Sequence, residues 1–275
     1  MSTNMIVPLS WFQRIRVHSV LAKSLADRRV MTILIGVGVG CMAFLVAAMF
    51  PSIQSALADF NLGPAFDSFL GGAGMSTPEG WLSTEVFSIM APGAIAALVI
   101  IDAGRSIASE MEDLSIGLLV SNPISRSRVL RDKCFAVVTH AFVAAGLIGL
   151  FTWLGVVVTG LDMSPSRVWA ATLSLAVLGF MVGGAAALLA VLIAKRAMAM
   201  VAAGGLAFVA YMVSVLLPIN ADLADWARLS PWHYYWGDNP LLNGINWLNL
   251  GVMAAIGLIM FALAILAFRR KDLRG

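Results

Sequence analysis

Six stretches of mostly apolar residues, separated by polar segments, dominate the chain. A helix needs about 20 apolar residues to cross the hydrocarbon core of a bilayer, and five of the six stretches reach that length. The second stretch is shorter and contains Pro92, a kink that neighbouring helices can accommodate. The pattern predicts an all-α integral membrane protein with about six transmembrane helices. The predicted spans are Val30–Phe50, Val86–Ile101, Cys134–Thr159, Val168–Ala194, Ala197–Leu217 and Leu248–Phe268.

Composition agrees with a membrane protein. Hydrophobic residues make up 60% of the chain and charged residues only 12%, which lies outside the range of ordinary soluble domains. The spans use most of the 275 residues, so we expect one transmembrane domain over residues 30–268. Cys41 and Cys134 lie in apolar surroundings without a C-x-x-C pair, which indicates neither a disulfide framework nor a metal site.

The basic residues predict the orientation. Except for Arg167 and Arg228, every Lys and Arg lies in the leader (residues 1–29), in residues 104–133, in the Lys195-Arg196 turn or in the tail (residues 269–275). With six spans, these segments share one side of the membrane, and an excess of basic residues marks the cytoplasmic side. We therefore expect both termini in the cytoplasm and the two long loops, residues 51–85 and 218–247, outside the cell.

Residues 1–29 place basic side chains beside apolar patches. Trp11 and Phe12 precede Arg14 and Arg16, a pattern typical of a helix that lies in the headgroup layer. A solvated leader before the first span fits the same residues equally well.

No other segment of the chain is both as polar and as helix-like as residues 104–133. Three acids (Glu110, Glu112 and Asp113) come first, followed by a proline turn and a basic second half that ends at Lys133. The residues alone fit either an amphipathic surface helix or a segment that docks on a partner.

The amino-acid sequence of this segment resembles that of the ABC-2 type (ABCG-like) permeases of ABC transporters. The resemblance lies in Arg105-x-Ile107-Ala108-x-Glu110-x-Glu112, Leu118-Leu119-x-Ser121-x-Pro123-Ile124-Ser125-Arg126 and Lys133. Leu114-Ser115 and Gly117 depart from the family pattern, so the local turn can differ. The resemblance implies that a cytoplasmic coupling helix meets a separate ATPase subunit. The implied coupling residues are Arg105, Glu110, Glu112, Asp113, Pro123 and Arg126.

The same resemblance implies an assembly in the cytoplasmic membrane of a prokaryotic cell. Two copies of an ABC ATPase subunit, which bind ATP and Mg, would dock beneath two permease subunits. The second permease would be another copy of this chain or a sister chain. The resemblance also favours an interfacial N-terminal helix and a re-entrant outer segment between spans 5 and 6.

Residues 218–247 contain a dense aromatic cluster. Its residues follow Ser230-Pro231 and precede Asn239-Pro240, two turn signals that would fold a short helix back toward the membrane. One interpretation is an interfacial belt of Trp and Tyr; the other is an outer gate. The gate candidates are Trp232, Tyr235 and Trp236.

Several chemistries have no support in the sequence. No G-x-x-x-x-G-K-[ST] is present, so we expect no enzyme activity and no cofactor in this chain. His18, His140 and His233 have no second ligand at helical spacing, so no metal site is expected. His140 lies in a span, where an ionisable residue is a functional candidate unless it only bonds to another helix. Nothing indicates a nucleic-acid partner.

The predicted function is therefore the permease subunit of an ATP-driven multidrug exporter. Because the predicted spans carry few charges, an amphipathic or hydrophobic substrate (a drug, peptide or lipid) is favoured over a large polar one. One alternative is a permease that exports an envelope or maturation precursor. Others are a membrane scaffold or sensor that transports nothing, and an ion-coupled carrier, which the lack of intramembrane carboxylates disfavours.

Overall fold

The computed structural model describes residues 20–58, 75–112 and 126–270. All regular structure in these ranges is helical. The α-helices are α1 (Val20–Ala58), α2 (Pro78–Leu82), α3 (Met90–Ala103), α4 (Ser109–Glu112), α5 (Arg126–Thr159), α6 (Pro165–Ile193), α7 (Arg196–Leu216), α8 (His233–Trp236), α9 (Pro240–Asn243) and α10 (Trp247–Arg270). Two π-helical turns (Ser83–Phe87 and Gly104–Ala108) and two 3₁₀ helices (Leu217–Ile219 and Ala221–Leu229) complete the set.

Within the described ranges, six helices are long and apolar enough to cross a membrane, which agrees with the predicted span count. They are Val20–Ser55, Pro78–Glu112, Ser127–Thr159, Pro165–Ile193, Arg196–Ile219 and Trp247–Arg270. The protein is therefore an all-α, multi-pass membrane protein.

The first three spanning helices extend well beyond the predicted boundaries, whereas the last three begin and end within three residues of them. Helix α1 begins at Val20, so no break separates residue 29 from residue 30, and it continues past Pro51 to Ala58. Likewise Lys133, predicted to end the loop between the second and third spans, lies inside α5. The predictions stopped at the first charged residue, but helices can continue through charges that lie in the headgroup layer or find partners.

The second span is interrupted once, at Ser88 and Ile89, before α3 begins at Met90. Pro92 lies in the first turn of α3, where its missing N–H and its ring exclude a regular hydrogen bond to Ser88. The helical pattern therefore breaks at Ser88, four residues before the proline, whose carbonyl Pro92 cannot pair with.

Glycines set the closest helix contacts. A Cβ on Gly36 would lie 2.8 Å from Leu147, and one on Gly179 would lie 2.6 Å from Ile95 and 2.9 Å from Ala141. The small-residue faces of α1 (Gly36-x-x-x-Gly40) and α6 (Gly179-x-x-x-Gly183) are therefore packing surfaces, against α5 and against α3 with α5.

The bundle has two chemically different ends. The basic end carries Lys23, Arg28, Lys133, Arg196 and Arg269, and the first residues of α1 and the last of α10 lie there together. The aromatic end contains Ala221–Leu229, α8 and α9 together with α2. Polar contacts fix this end: Arg167 Nη1 donates to Glu79 Oε1 over 2.8 Å, and Asn239 Nδ2 donates to Ser83 Oγ over 2.7 Å.

Candidate functional site

An apolar groove runs between α3 and α7. Its cavity volume is about 530 Å³, within the range of small-molecule binding sites. The lining is almost entirely apolar, with Ser88 at one side and aromatic rings at the aromatic end. We call this cavity the α3/α7 groove; it is lined by Ser88, Ile89, Gly93, Ala96, Ala97, Ile100, Ile101, Met200, Val201, Gly204, Ala207, Phe208, Tyr211 and Trp232.

The groove exists because small residues on both helices face it. Gly93 on α3 and Gly204 on α7 each have no other atoms within 4 Å of the position that a Cβ would take. At the basic end, in contrast, Gly104 touches α7 closely, since a Cβ there would lie 2.4 Å from Met200. Helix α7 is therefore held against the second span at one end and separated from it toward the other.

Aromatic rings close the groove at the aromatic end. The Trp232 ring packs edge-on against Tyr211, with centroids 5.6 Å apart, and against Tyr235, with centroids 6.5 Å apart. Burial raises the pKa of the Tyr235 phenol, so its hydroxyl stays protonated and donates to the Phe87 carbonyl over 2.8 Å. This bond ties α8 to the π-helical turn that precedes the groove.

The placement of these rings bears on the two sequence interpretations. Trp232 and Tyr235 are 5% and 2% exposed, so they pack inside the protein and do not form a lipid-facing belt. Trp226 and Trp247 are exposed, as belt residues would be. Trp236 ends α8, and its side chain lies outside the described part of the structure.

A buried polar cluster lies at the basic end, between α1, the second span and α5. His140 Nδ1 lies 2.6 Å from Asp102 Oδ2, and Arg28 Nε lies 3.8 Å from Asp102 Oδ1. About two helical turns farther along, Lys133 Nζ lies 2.5 Å from Glu110 Oε2 and donates to the Ser106 carbonyl. Asp102, Lys133 and His140 are all at most 3% exposed. Of these side chains only His140 lies inside a predicted span; Asp102 and Lys133 belong to spans because the observed helices extend beyond the predicted boundaries.

A spacing signal could have revealed the cluster. Asp102, Ser106 and Glu110 recur every four residues on one helix, and Lys133 and His140 are seven apart on the other. Each set lies on one helix face, and antiparallel packing brings the two faces together. The shared face of Lys133 and His140 is not recognised when Lys133 is assigned to a loop and His140 is considered alone.

Three of the predicted coupling residues, Arg105, Glu110 and Glu112, lie at the basic end. Arg105 is exposed, Glu110 contacts Lys133, and Glu112 is exposed with its Oε2 accepting a 2.9 Å hydrogen bond from the Arg196 N–H. Glu112 therefore caps the N-terminus of α7, where a negative charge is favourable. Asp113 and Pro123 lie outside the described residues, and Arg126 is described only as the first residue of α5.

The described residues contain no group of three or more His, Cys, Asp or Glu side chains placed to hold a metal ion. Cys134 is buried and Cys41 is exposed on the apolar surface of α1.

Comparison with known proteins gives the family. No curated protein sequence matches the chain. A family model described as "Multidrug efflux system permease Rv1217c, C-terminal domain" matches residues 18–269, nearly the full length and all six spanning helices. With its six spans and its apolar groove, the chain belongs to this family of multidrug efflux permeases.

Proposed function

We propose that the chain is the permease subunit of an ATP-driven ABC exporter of amphipathic or hydrophobic molecules. A separate ATPase, present in two copies and binding ATP and Mg, supplies the energy. A second permease, identical or a sister chain, completes the pathway. The assembly lies in the cytoplasmic membrane with the basic end in the cytoplasm.

The observation that carries the proposal is the α3/α7 groove. Its size suits one drug-sized molecule, and its nearly apolar lining suits a molecule without large polar groups. A charged or strongly hydrated solute would have to give up its water without compensating hydrogen bonds, at a cost of several kcal/mol.

A mechanical link from the basic end to the groove supports the coupling. Glu112 caps α7 and Gly104 touches Met200 on α7, so the helix that lines the groove is tied to the segment proposed to meet the ATPase. Movement of that segment would shift α7 relative to α3. Such a shift drives transport only if the ATPase states bind the segment with different affinities.

Filling the groove tests the transport role. Gly204→Leu places a side chain in the groove, whereas Gly205→Leu places one in open space outside it, so the two variants form a matched pair. Inverted membrane vesicles that also contain the ATPase partner should take up an apolar fluorescent dye on addition of ATP. We expect Gly204→Leu to lose most of this uptake and Gly205→Leu to keep it.

The controls separate the competing functions. Vanadate should stop uptake and a protonophore should not; the reverse result would favour an ion-coupled carrier. Equal uptake by both glycine variants would remove the groove from the pathway. Absence of ATP-dependent uptake of any hydrophobic probe by the wild-type complex would favour a scaffold or sensor.

The coupling role of Glu112 needs a substitution that keeps the cap. Glu112→Gln retains an oxygen that can accept from the Arg196 N–H but removes the charge, whereas Glu112→Ala removes both. If the charge docks on the ATPase, Glu112→Gln should lower ATPase co-purification at unchanged thermal stability. Wild-type co-purification of Glu112→Gln would leave the residue with its capping role alone.

A further inference from the structure

A small polar cavity opens at the basic end, beside the buried cluster. It has a volume of about 70 Å³, room for several water molecules or for one phosphate-sized group. We call it the basic cavity; its lining is Val20, Lys23, Ser24, Asp27, Arg28, Arg105, Ser106, Glu110 and Lys133.

The lining of the basic cavity has an excess of positive charge. Four basic side chains face it against two carboxylates, those of Asp27 and Glu110. Asp102 contacts both Arg28 and His140 and is not part of the cavity lining. It therefore neutralises only part of the excess positive charge. Lys133 is buried in the wall, whereas Lys23 and Arg105 are exposed at the mouth. An anion that enters would meet two cations at the mouth and two more deeper in.

The position of the basic cavity in the membrane favours a lipid over a free anion. It lies where the first span leaves the apolar region, since Arg28 lines it and Val30 follows on the same helix. Val30, Ile33 and Leu34 are exposed and form an apolar track that leads away from the charged residues. A phospholipid can place its headgroup at the cavity and its acyl chains along this track.

We propose that the basic cavity binds the headgroup phosphate of an anionic phospholipid, held between Lys23, Arg28 and Arg105. The lipid bridges α1 and the second span, two elements that otherwise share only the Arg28–Asp102 pair at this end among the described ion pairs. This inference concerns a structural lipid site and does not depend on the ATP-driven function.

The test removes charge from the mouth of the cavity, where both side chains are exposed and the fold does not depend on them. The variants are Lys23→Gln/Arg105→Gln and, as a matched control, Arg128→Gln/Arg131→Gln, which removes two exposed charges from the same end outside the cavity. The full chain in an uncharged detergent is titrated with phosphatidylglycerol, phosphatidylcholine of the same acyl chains, or inorganic phosphate. Thermal unfolding reports binding, because a ligand of the folded state raises the melting temperature.

We expect phosphatidylglycerol to stabilise the wild type and the control double variant equally. Its apparent affinity for Lys23→Gln/Arg105→Gln should fall roughly tenfold or more, as expected for two lost headgroup contacts. Equal loss in both double variants would overturn the proposal in favour of general surface attraction, as would equal stabilisation by phosphatidylcholine. Full stabilisation by inorganic phosphate alone would overturn the assignment to a lipid.

Discussion

At the residue scale, the buried Asp102–His140 pair has the largest energetic consequence. Both side chains are almost inaccessible, and Arg28 offers Asp102 only a second, longer contact of 3.8 Å. Breaking a buried pair costs more than replacing it whole, because the remaining charge is left without a partner. Replacing only one member of the pair is therefore expected to destabilise the folded protein.

His140→Leu should destabilise the protein by about 3 kcal/mol, the lower end of the range for one-sided loss of a buried pair, because Arg28 still faces Asp102. Thr139→Val is the control; Thr139 is next in the chain, and its hydroxyl donates only to its own helix, at Phe135. The double variant His140→Leu/Asp102→Leu should be less destabilised than His140→Leu. Denaturation in detergent micelles measures the stability of all three variants. A double variant that is less stable than His140→Leu would contradict this expectation.

Trp232 is the second residue whose role can be tested. Among the described residues its buried indole N–H has no hydrogen-bond partner, which costs about 1–3 kcal/mol of stability. This cost makes it easier for the Trp232 ring to move out of its packing against Tyr211 and Tyr235. Under the gate interpretation, Trp232→Ala in the assembled exporter should raise basal ATP hydrolysis and weaken its response to substrate. Tyr234→Ala is the control, because Tyr234 lies two residues farther along, in α8, and is only half-buried. If Trp232→Ala lowers expression alone and leaves hydrolysis and export normal, the ring has a packing role.

At the element scale, the six spans could be predicted and the contacts between them only in part. Long apolar stretches and glycines spaced four residues apart are local signals. The spans and the packing faces at Gly36 and Gly179 can therefore be recognised in the sequence. The groove could not be predicted, and the sequence shows the polar cluster only as two separate helix faces. Asp102 and His140 are 38 residues apart, and only the antiparallel register of two helices shows that they meet.

Helix boundaries were predicted closely for the last three spans and poorly for the first three, for a related reason. The sequence marks where apolar residues stop, whereas a helix ends where its backbone loses hydrogen bonds. At Ile193 the end is set by Ala194, which adopts a left-handed conformation with φ of 52°. Nothing in the residue type alanine predicts that backbone geometry.

The packing of α1 on α5 gives an element-scale prediction. Gly36 and Gly38 are two residues apart on α1, but Gly36 faces Leu147 and Ala144, whereas Gly38 has no atoms within 4 Å of its Cβ position. Gly36→Leu should therefore cost about 1–3 kcal/mol of stability through overpacking, and Gly38→Leu should cost little. Unfolding in detergent compares the two. Equal losses of stability would show that replacing a glycine destabilises helix α1 itself and not its contact with α5.

At the scale of the whole molecule, the two ends differ in charge more than in any other property. Lys195 and Arg196 join α6 to α7 at the basic end, while the segment between α7 and α10 carries Arg228 as its only basic residue apart from His233. Six spans bring the start of α1 and the end of α10 to the same side. The positive-inside rule then predicts that this side faces the cytoplasm.

The orientation can be measured with single cysteines. The background is Cys41→Ser/Cys134→Ala, because Cys41 is exposed on the apolar surface and would add a native thiol. Ser76→Cys and Asn243→Cys place a thiol at exposed positions of the aromatic end, and Lys195→Cys places one at the basic end. A membrane-impermeant thiol reagent added to intact cells should label the first two and spare the third until the membrane is permeabilised. Since all three positions are exposed, slow labelling cannot be ascribed to burial in the fold. Rapid labelling of Lys195→Cys in intact cells, with protection of the other two, would invert the orientation and place the proposed ATPase-docking end outside the cell, where ATP could not drive it.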